Sequence, residues 1–329
     1  MKARLAAATL LLTAASSLFA QYGPEPDFTI TAAERKQVID NSIARLNEAY
    51  VFPETAKKME QAVRARAARG EYDKITSAKE LADTLTRDFR EVSKDKHLSM
   101  RYSNAVLPDR APDAAPPAEA LEQQRAFAAK LNYGFEKVER LQGNIGYIDI
   151  RGFMPPEVGG ETGAAAMTFV ANADALIVDL RFNGGGEPSM IAYLTSYLFD
   201  EPTHLNDIWT RAGNSTEQWW TSATVKGHRF GGKKPVYVLT SSRTFSGGEE
   251  FAYNLKTLKR GTIIGEVTGG GAHPVDGVKV SDHFELGVPF ARAINPITKT
   301  NWEGVGVQPT SPSPPRRLST PPTAWPSNR

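Results

Sequence analysis

A serine followed by two glycines stands where a strand-like run meets a helix-like run, and chemistry is possible there. Val236 to Leu239 is short, β-branched and aromatic; Ser246-Gly-Gly-Glu249 turns the chain; Phe251, Leu255 and Leu258 then recur on one helical face. A hydroxyl at that turn lies on the edge of a sheet and at a helix N-terminus, where unpaired N–H groups point outward. Such donors stabilise the charge that develops when a nucleophile attacks a carbonyl. The same four residues also fit a capping box that does no more than satisfy the helix end.

A second glycine turn, Asn183-Gly-Gly-Gly186, follows the apolar run Ala175 to Leu180. Both turns sit at the carboxyl ends of strands, where sites form in open α/β sheets. One N–H from each would make a two-donor oxyanion hole; tight turning alone would also account for the glycines. A serine nucleophile needs a base. The histidines are His97, His204, His228, His273 and His283, and spacing does not choose between His97 and His273. Glu249, Glu266 and Glu303 are acids near glycine turns that could orient the base; Glu303 lies in Asn301-Trp-Glu-Gly-Val-Gly-Val-Gln-Pro309.

Several chemistries are excluded by pattern. There is no cysteine, hence no disulfide, thiol nucleophile or cysteine metal site. No histidine pair has HxxxH spacing, so no metal is assigned, and no cofactor is required. Neither GxGxxG nor GxxxxGK[ST] occurs. GxSxG is absent around Ser246 because Thr244 takes the first glycine's place, which argues against a lipase-type esterase.

The elements that would position these groups can be read from periodicity. Thr31-Ala-Ala-Glu34 and Ser77-Ala-Lys-Glu80 open helices, and Pro53 starts another; residues 30–92 form a small helical unit. Leu98, Met100 and Tyr102 alternate as a strand entered just after His97. A Pro- and Ala-rich connector covers 104–118, and a helix follows to about Leu131. Strands at Ile145–Ile150, Ala175–Arg181, Val236–Leu239 and Thr262–Gly265 alternate with helices at Glu157–Asn172, Pro188–Phe199 and after Glu249. Segments near 278–284 and 290–294 add antiparallel strands, giving α/β or α+β. Lys2 and Arg4, the apolar Leu5–Ala14 and the small residues to Ala20 form a signal peptide, cleaved before Gln21. Its removal takes two basic residues and no acidic one, leaving 37 of each sign. That balance recommends no nucleic acid. The apolar run is too short for a permanent span, so membrane contact is at most peripheral. The expected division is 1–20 signal peptide, 21–103 helical N-terminal domain, 104–132 connector and helix, 133–310 catalytic domain, and 311–329 Pro-rich disordered tail.

Five stretches, taken together and in order, resemble the C-terminal processing (tail-specific) serine peptidases, in the branch of interphotoreceptor retinoid-binding protein and the tricorn core. They are Asp95-Lys-His-Leu; Gly146-Tyr-Ile with Phe153; Asp179-Leu-Arg-Phe-Asn-Gly-Gly-Gly186; Thr244-Phe-Ser-Gly-Gly-Glu-Glu-Phe251 leading to Gly265-Glu-Val-Thr-Gly-Gly-Gly-Ala-His-Pro274; and Gly304-Val-Gly-Val-Gln-Pro309. The resemblance implies a crotonase-like β-β-α spiral core behind the helical domain. It implies Ser246 as nucleophile, His97 as base, Glu303 as its support, and the N–H groups of Gly247 and Gly185 as the oxyanion hole. One branch of the family places a lysine base in Thr-x-Gly-Lys-Gly; here that position is Gly271. The relay serine before the histidine is replaced by Lys96. The stretch between His97 and Ile145 is about half a PDZ domain, so no such insertion is expected. The implied function is an exported, periplasmic or secreted, serine peptidase acting on peptides or proteins. A non-catalytic binding protein for apolar ligands or peptides is the alternative on the same fold.

Overall fold

The computed structural model describes residues 26–109 and 118–310. The signal peptide, part of the connector and the tail expected from the sequence lie outside the described residues. The N-terminal helices form where their caps stand. Thr31 opens α1 (Ala32–Ala49): its hydroxyl accepts the Glu34 N–H and the Glu34 carboxylate accepts the Thr31 N–H. Pro53 occupies the first turn of α2 (Pro53–Ala68), and Ser77 caps α3 (Ala78–Ser93) by accepting the Glu80 N–H at 3.0 Å. The α3 stripe Leu81, Leu85 and Phe89 is buried against Ile43 and Leu46 of α1 and Met59 of α2. Lys94 then takes a left-handed conformation, φ 60°, which ends α3 and turns the chain toward Asp95 and His97.

The helical unit is not closed by its own residues. β1 (Ser99–Tyr102) pairs antiparallel with β10 (Phe284–Pro289), which pairs with β9 (Val275–Ser281). Val280, Phe284, Leu286 and Val288 from those late strands complete the core around Leu85, Phe89 and Leu98. The sequence places these strands in the second domain; in space they seal the first.

The second core surrounds a five-stranded sheet in the order β2 (Phe135–Leu141), β3 (Ile145–Ile150), β4 (Ala175–Asp179), β7 (Val236–Thr240), β8 (Thr262–Gly265). β2 is antiparallel to β3, and the rest are parallel. Helices α5 (Pro156–Val170), α6 (Pro188–Thr195) and α7 (Gly247–Thr257) follow β3, β4 and β7, with α4 (Ala118–Lys130) ahead of the sheet. A third sheet pairs β11 (Ala291–Ile294) with β5 (His204–Thr210) and β5 with β6 (Ser215–Trp220). Sequence periodicity misses β2 and β6, whose exposed positions are mostly charged or polar, and β5, where the buried Asn206 breaks the apolar pattern. The mixed α/β class is as expected. No helix among the described residues is long and apolar enough to cross a membrane.

Candidate active site

The ends of β4 and β7 bring the two glycine turns together. Asn183, fully buried, ties them: its amide donates to the Ile150 carbonyl, its side-chain oxygen accepts the Gly185 N–H at 2.8 Å, and its carbonyl accepts the Phe245 N–H. A Cβ on Gly185 would lie 2.8 Å from the Ser246 Cβ and 2.9 Å from the Gly247 nitrogen, so only glycine lets the turns approach this closely. The Gly185 N–H expected in the oxyanion hole is therefore engaged by Asn183. The free N–H groups at the junction belong to Gly186, whose nitrogen lies 3.0 Å from where a Gly247 Cβ would be, and to Gly247 at the start of α7.

Ser246 has φ 53° and ψ −120°, a backbone conformation that disfavours a side chain. Strain of this kind costs on the order of 1–3 kcal/mol and persists where the surroundings impose it. A sharp strand-to-helix turn of this kind can present a hydroxyl for nucleophilic attack, here without the GxSxG sequence. Glu249 imposes it. This fully buried carboxylate accepts the Ser246 N–H at 2.9 Å, the Gly271 N–H at 2.8 Å, the Gly270 N–H at 2.6 Å and the Thr268 hydroxyl at 2.5 Å. Burial raises its pKa against the opposing pull of these donors. The cap expected from the sequence thus also fixes the loop 268–271.

His97 and Ser246 line one cavity of about 300 Å³, together with Gly184, Gly186, Gly247, Phe245 and Gly271. The imidazole rests on the Phe245 ring at a centroid distance of 4.6 Å. The residue is partly exposed, yet both ring nitrogens are screened from solvent and neither completes a hydrogen bond. The ring and the Ser246 hydroxyl therefore share the cavity without a direct bond. Burial pushes the His97 pKa down to about 4; Asp95 opposes this, and His273 and Arg90 add to it. A Cβ on Gly271 would lie 2.3 Å from Phe245 and 2.6 Å from the His97 Cε1. The place where one branch of the family carries a lysine is thus filled by the His97 and Phe245 rings.

Behind His97 lies a cluster that sequence spacing did not reveal. Asp95 accepts the His97 backbone N–H at 3.0 Å through one oxygen; through the other it meets the His273 ring at 2.7 Å and the Tyr50 hydroxyl at 3.1 Å. Burial alone would raise the Asp95 pKa; His273 and His97 bring it below the ordinary range. Glu303 lies 3.6 Å from the His273 ring and accepts the Ala272 N–H at 2.5 Å, so it contacts His273 and not His97. Burial pushes Glu303 up to about 7, with His273 opposing. Asp95, His273 and Glu303 each offer a donor atom within 4.8 Å of the others, the one group among the described residues with the makings of a metal ligand set. Their present arrangement is a hydrogen-bonded acid–histidine cluster. The available clues were Asp95 two residues before His97 and His273 beside a glycine turn, but 178 residues separate the pair. Lys96, in the relay serine's place, donates to the Gly269 carbonyl at 2.5 Å and ties the N-terminal unit to the same loop.

Two family models match the chain: "Peptidase family S41" over residues 144–313 and "N-terminal domain of Peptidase S41 in eukaryotic IRBP" over 30–136. The tricorn protease of Thermoplasma volcanium is 33% identical over 141 residues, a match spanning 40% of this chain and 12% of that protein's length. Among solved structures, a putative peptidase from Parabacteroides merdae superposes with a TM-score of 0.56 at 18% identity, covering 84% of this chain and 88% of that one. A lipoprotein from Streptococcus agalactiae gives 0.54 at 13%, covering 86% and 93%. The photosystem II D1 C-terminal processing protease gives 0.50 at 16%, covering 85% and 93%. At these identities the structural likeness speaks to the fold.

Proposed function

The chain belongs to peptidase family S41, and from that membership we propose an exported serine peptidase that hydrolyses peptide bonds through an acyl-enzyme on Ser246. The observation that carries the reading is the strained Ser246 turn and the His97 ring facing one cavity, with the lysine position occupied by that ring. Ser246 Oγ attacks the scissile carbonyl carbon, and neutral His97 takes the hydroxyl proton. The N–H groups of Gly247 and Gly186 hold the oxyanion. Collapse expels the amine, which takes the proton from His97 and leaves an ester on Ser246. Water, giving its proton to His97, attacks that ester; the acid leaves and Ser246 regains its proton. A His97 held near pKa 4 is unprotonated at neutral pH and ready for the first transfer.

Asp95 fixes the His97 backbone. Glu303 supports the site through His273 and the Ala272 N–H. The finer fold reading, a crotonase-like spiral of β-β-α units, belongs to the same proposal; β2, β3 and α5 in succession support one such unit. Export rests on the charged, apolar and small-residue succession over residues 1–20. The test is reaction with a serine-directed fluorophosphonate, alongside peptide hydrolysis by wild-type protein and Ser246→Ala. The wild type should be labelled and the variant should lose both labelling and turnover. Turnover that persists in Ser246→Ala, or a wild type that neither labels nor cleaves, would sink the assignment.

A further inference from the structure

The cavity beside Ser246 carries two carboxyls that the hydrolytic steps do not use. Glu187 caps α6 directly after the glycine turn, and Glu250 stands one helical turn beyond Ser246 on α7. Both line the cavity and each is 6% exposed. Among the described residues the Glu187 carboxyl accepts no hydrogen bond and joins no ion pair; the one charge acting on it is that of Glu157, of like sign. Glu250 has Asn206 and Asn254 beside it, both buried, and their amides oppose the effect of burial on its carboxyl. Burial holds Glu187 up at about 8 and Glu250 at about 7.

A buried carboxyl without a partner is costly, and Glu187 on the wall of this cavity is a place where an incoming positive charge would be stabilised. Of the cavity's own lysine and arginine side chains, Arg101 is exposed and does not act on either carboxyl, and the other two are committed elsewhere. Arg90 donates to the Leu98 and Lys96 carbonyls, and Lys96 to that of Gly269. The cavity also has apolar lining at Pro188, Ile208, Ala293 and Trp302, which suits the methylene stem of a long basic side chain.

We propose that this part of the cavity is a subsite for a cationic side chain, and that the substrates are peptides with lysine or arginine at or beside the scissile bond. The stem lies along the apolar lining and the charged head meets Glu187, with Glu250 elsewhere on the same cavity wall. The inference names the substrate class of the site and rests on the peptidase reading above.

Two measurements test it separately from that reading. In quenched-fluorescent peptides identical except for Lys, Arg, Leu, Ala or Glu on either side of one bond, the basic members should exceed leucine in kcat/KM by roughly ten-fold or more. Glu187→Gln should lower kcat/KM for the lysine peptide more than for the leucine peptide, and Glu250→Gln should do so by less. Calorimetric titration of Ser246→Ala with benzamidine, in two buffers of different ionisation heat, should show binding accompanied by proton release. The titration needs no turnover. Benzamidine binding in a protein that neither labels with fluorophosphonate nor cleaves would support the subsite while removing the peptidase. Equal kcat/KM for lysine and leucine peptides without benzamidine binding would overturn the subsite in a working peptidase. A basic preference untouched by both glutamine substitutions would overturn it as well.

Discussion

Replacing Glu249 with glutamine asks how much of the nucleophile's geometry one carboxylate maintains. Its Oε2 serves the N–H groups of Ser246 and Gly271, and its Oε1 serves the Gly270 N–H and the Thr268 hydroxyl. A glutamine offers one carbonyl oxygen, so its NH2 must face one of those pairs. The less damaging orientation turns the NH2 toward Thr268, whose hydroxyl can reverse and accept, and leaves the Gly270 N–H facing another donor. Weakening two charge-assisted bonds to neutral ones costs about 1–3 kcal/mol, and orphaning a buried N–H adds about 1–3. The expected loss is then about 3–5 kcal/mol by urea denaturation. Fluorophosphonate labelling should slow as well, because Ser246 is free to leave its strained conformation. A loss under about 1 kcal/mol with an unaltered labelling rate would refute the reasoning, since it would mean the turn is held by its glycines alone.

Three further outcomes follow from the same geometry. Gly271→Ala puts a methyl into the Phe245 and His97 rings, so kcat/KM should fall about 100-fold, as an ångström-scale displacement of a base does, while stability drops by about 1–3 kcal/mol; near-normal activity would show that the His97 ring is not the group that works. The acid limb of kcat/KM should reflect His97 near pH 4 and not the ordinary histidine range, and a limb at 6 to 7 unaffected by Glu303→Gln would contradict the buried, neutral ring. Between pH 6.5 and 9 the folded chain retains protons on Glu187 and Glu250 that the unfolded chain has already lost, so these two groups should make stability fall with rising pH by about 3 kcal/mol. Glu187→Gln should flatten most of that slope in urea titrations, and a flat wild-type profile would contradict the burial.

The parts of the site legible in the sequence were those written locally. The Ser246 turn, the Asn183 turn and the three capped helices each declare themselves within a few residues, because caps, glycines and helical periods act over that range. The mutual placement of groups was legible only where a family order could be recognised. Which glycine N–H is free was not, because the Asn183 side chain decides it by engaging Gly185. The Asp95–His273 bond joins residues too far apart for any spacing rule. Glu250 stood in plain view one turn after Ser246, but a charged residue on a helix reads as solvated until its neighbours are known. β6 was hidden for the opposite reason, its exposed polar positions masking the alternation, and β5 because the buried Asn206 interrupts its apolar pattern.

The pairing of Ser99 with Gly287 has a consequence for when the protein becomes active during its own synthesis. A chain emerging N-terminus first presents Leu81, Leu85 and Phe89 long before Val280, Phe284 and Leu286 arrive to cover them. Closure of so distant a contact is slow and comes late. A chain stopped before Val275 should therefore bind an apolar dye and leave fluorophosphonate unreacted; labelling of such a fragment would argue otherwise. His97 leads into β1, whose partner β10 is made after both glycine turns, so the proposed site should be complete only once β10 has docked. The order of residues along the chain should thus delay a complete site until the last strands are in place, since neither half carries all of its groups.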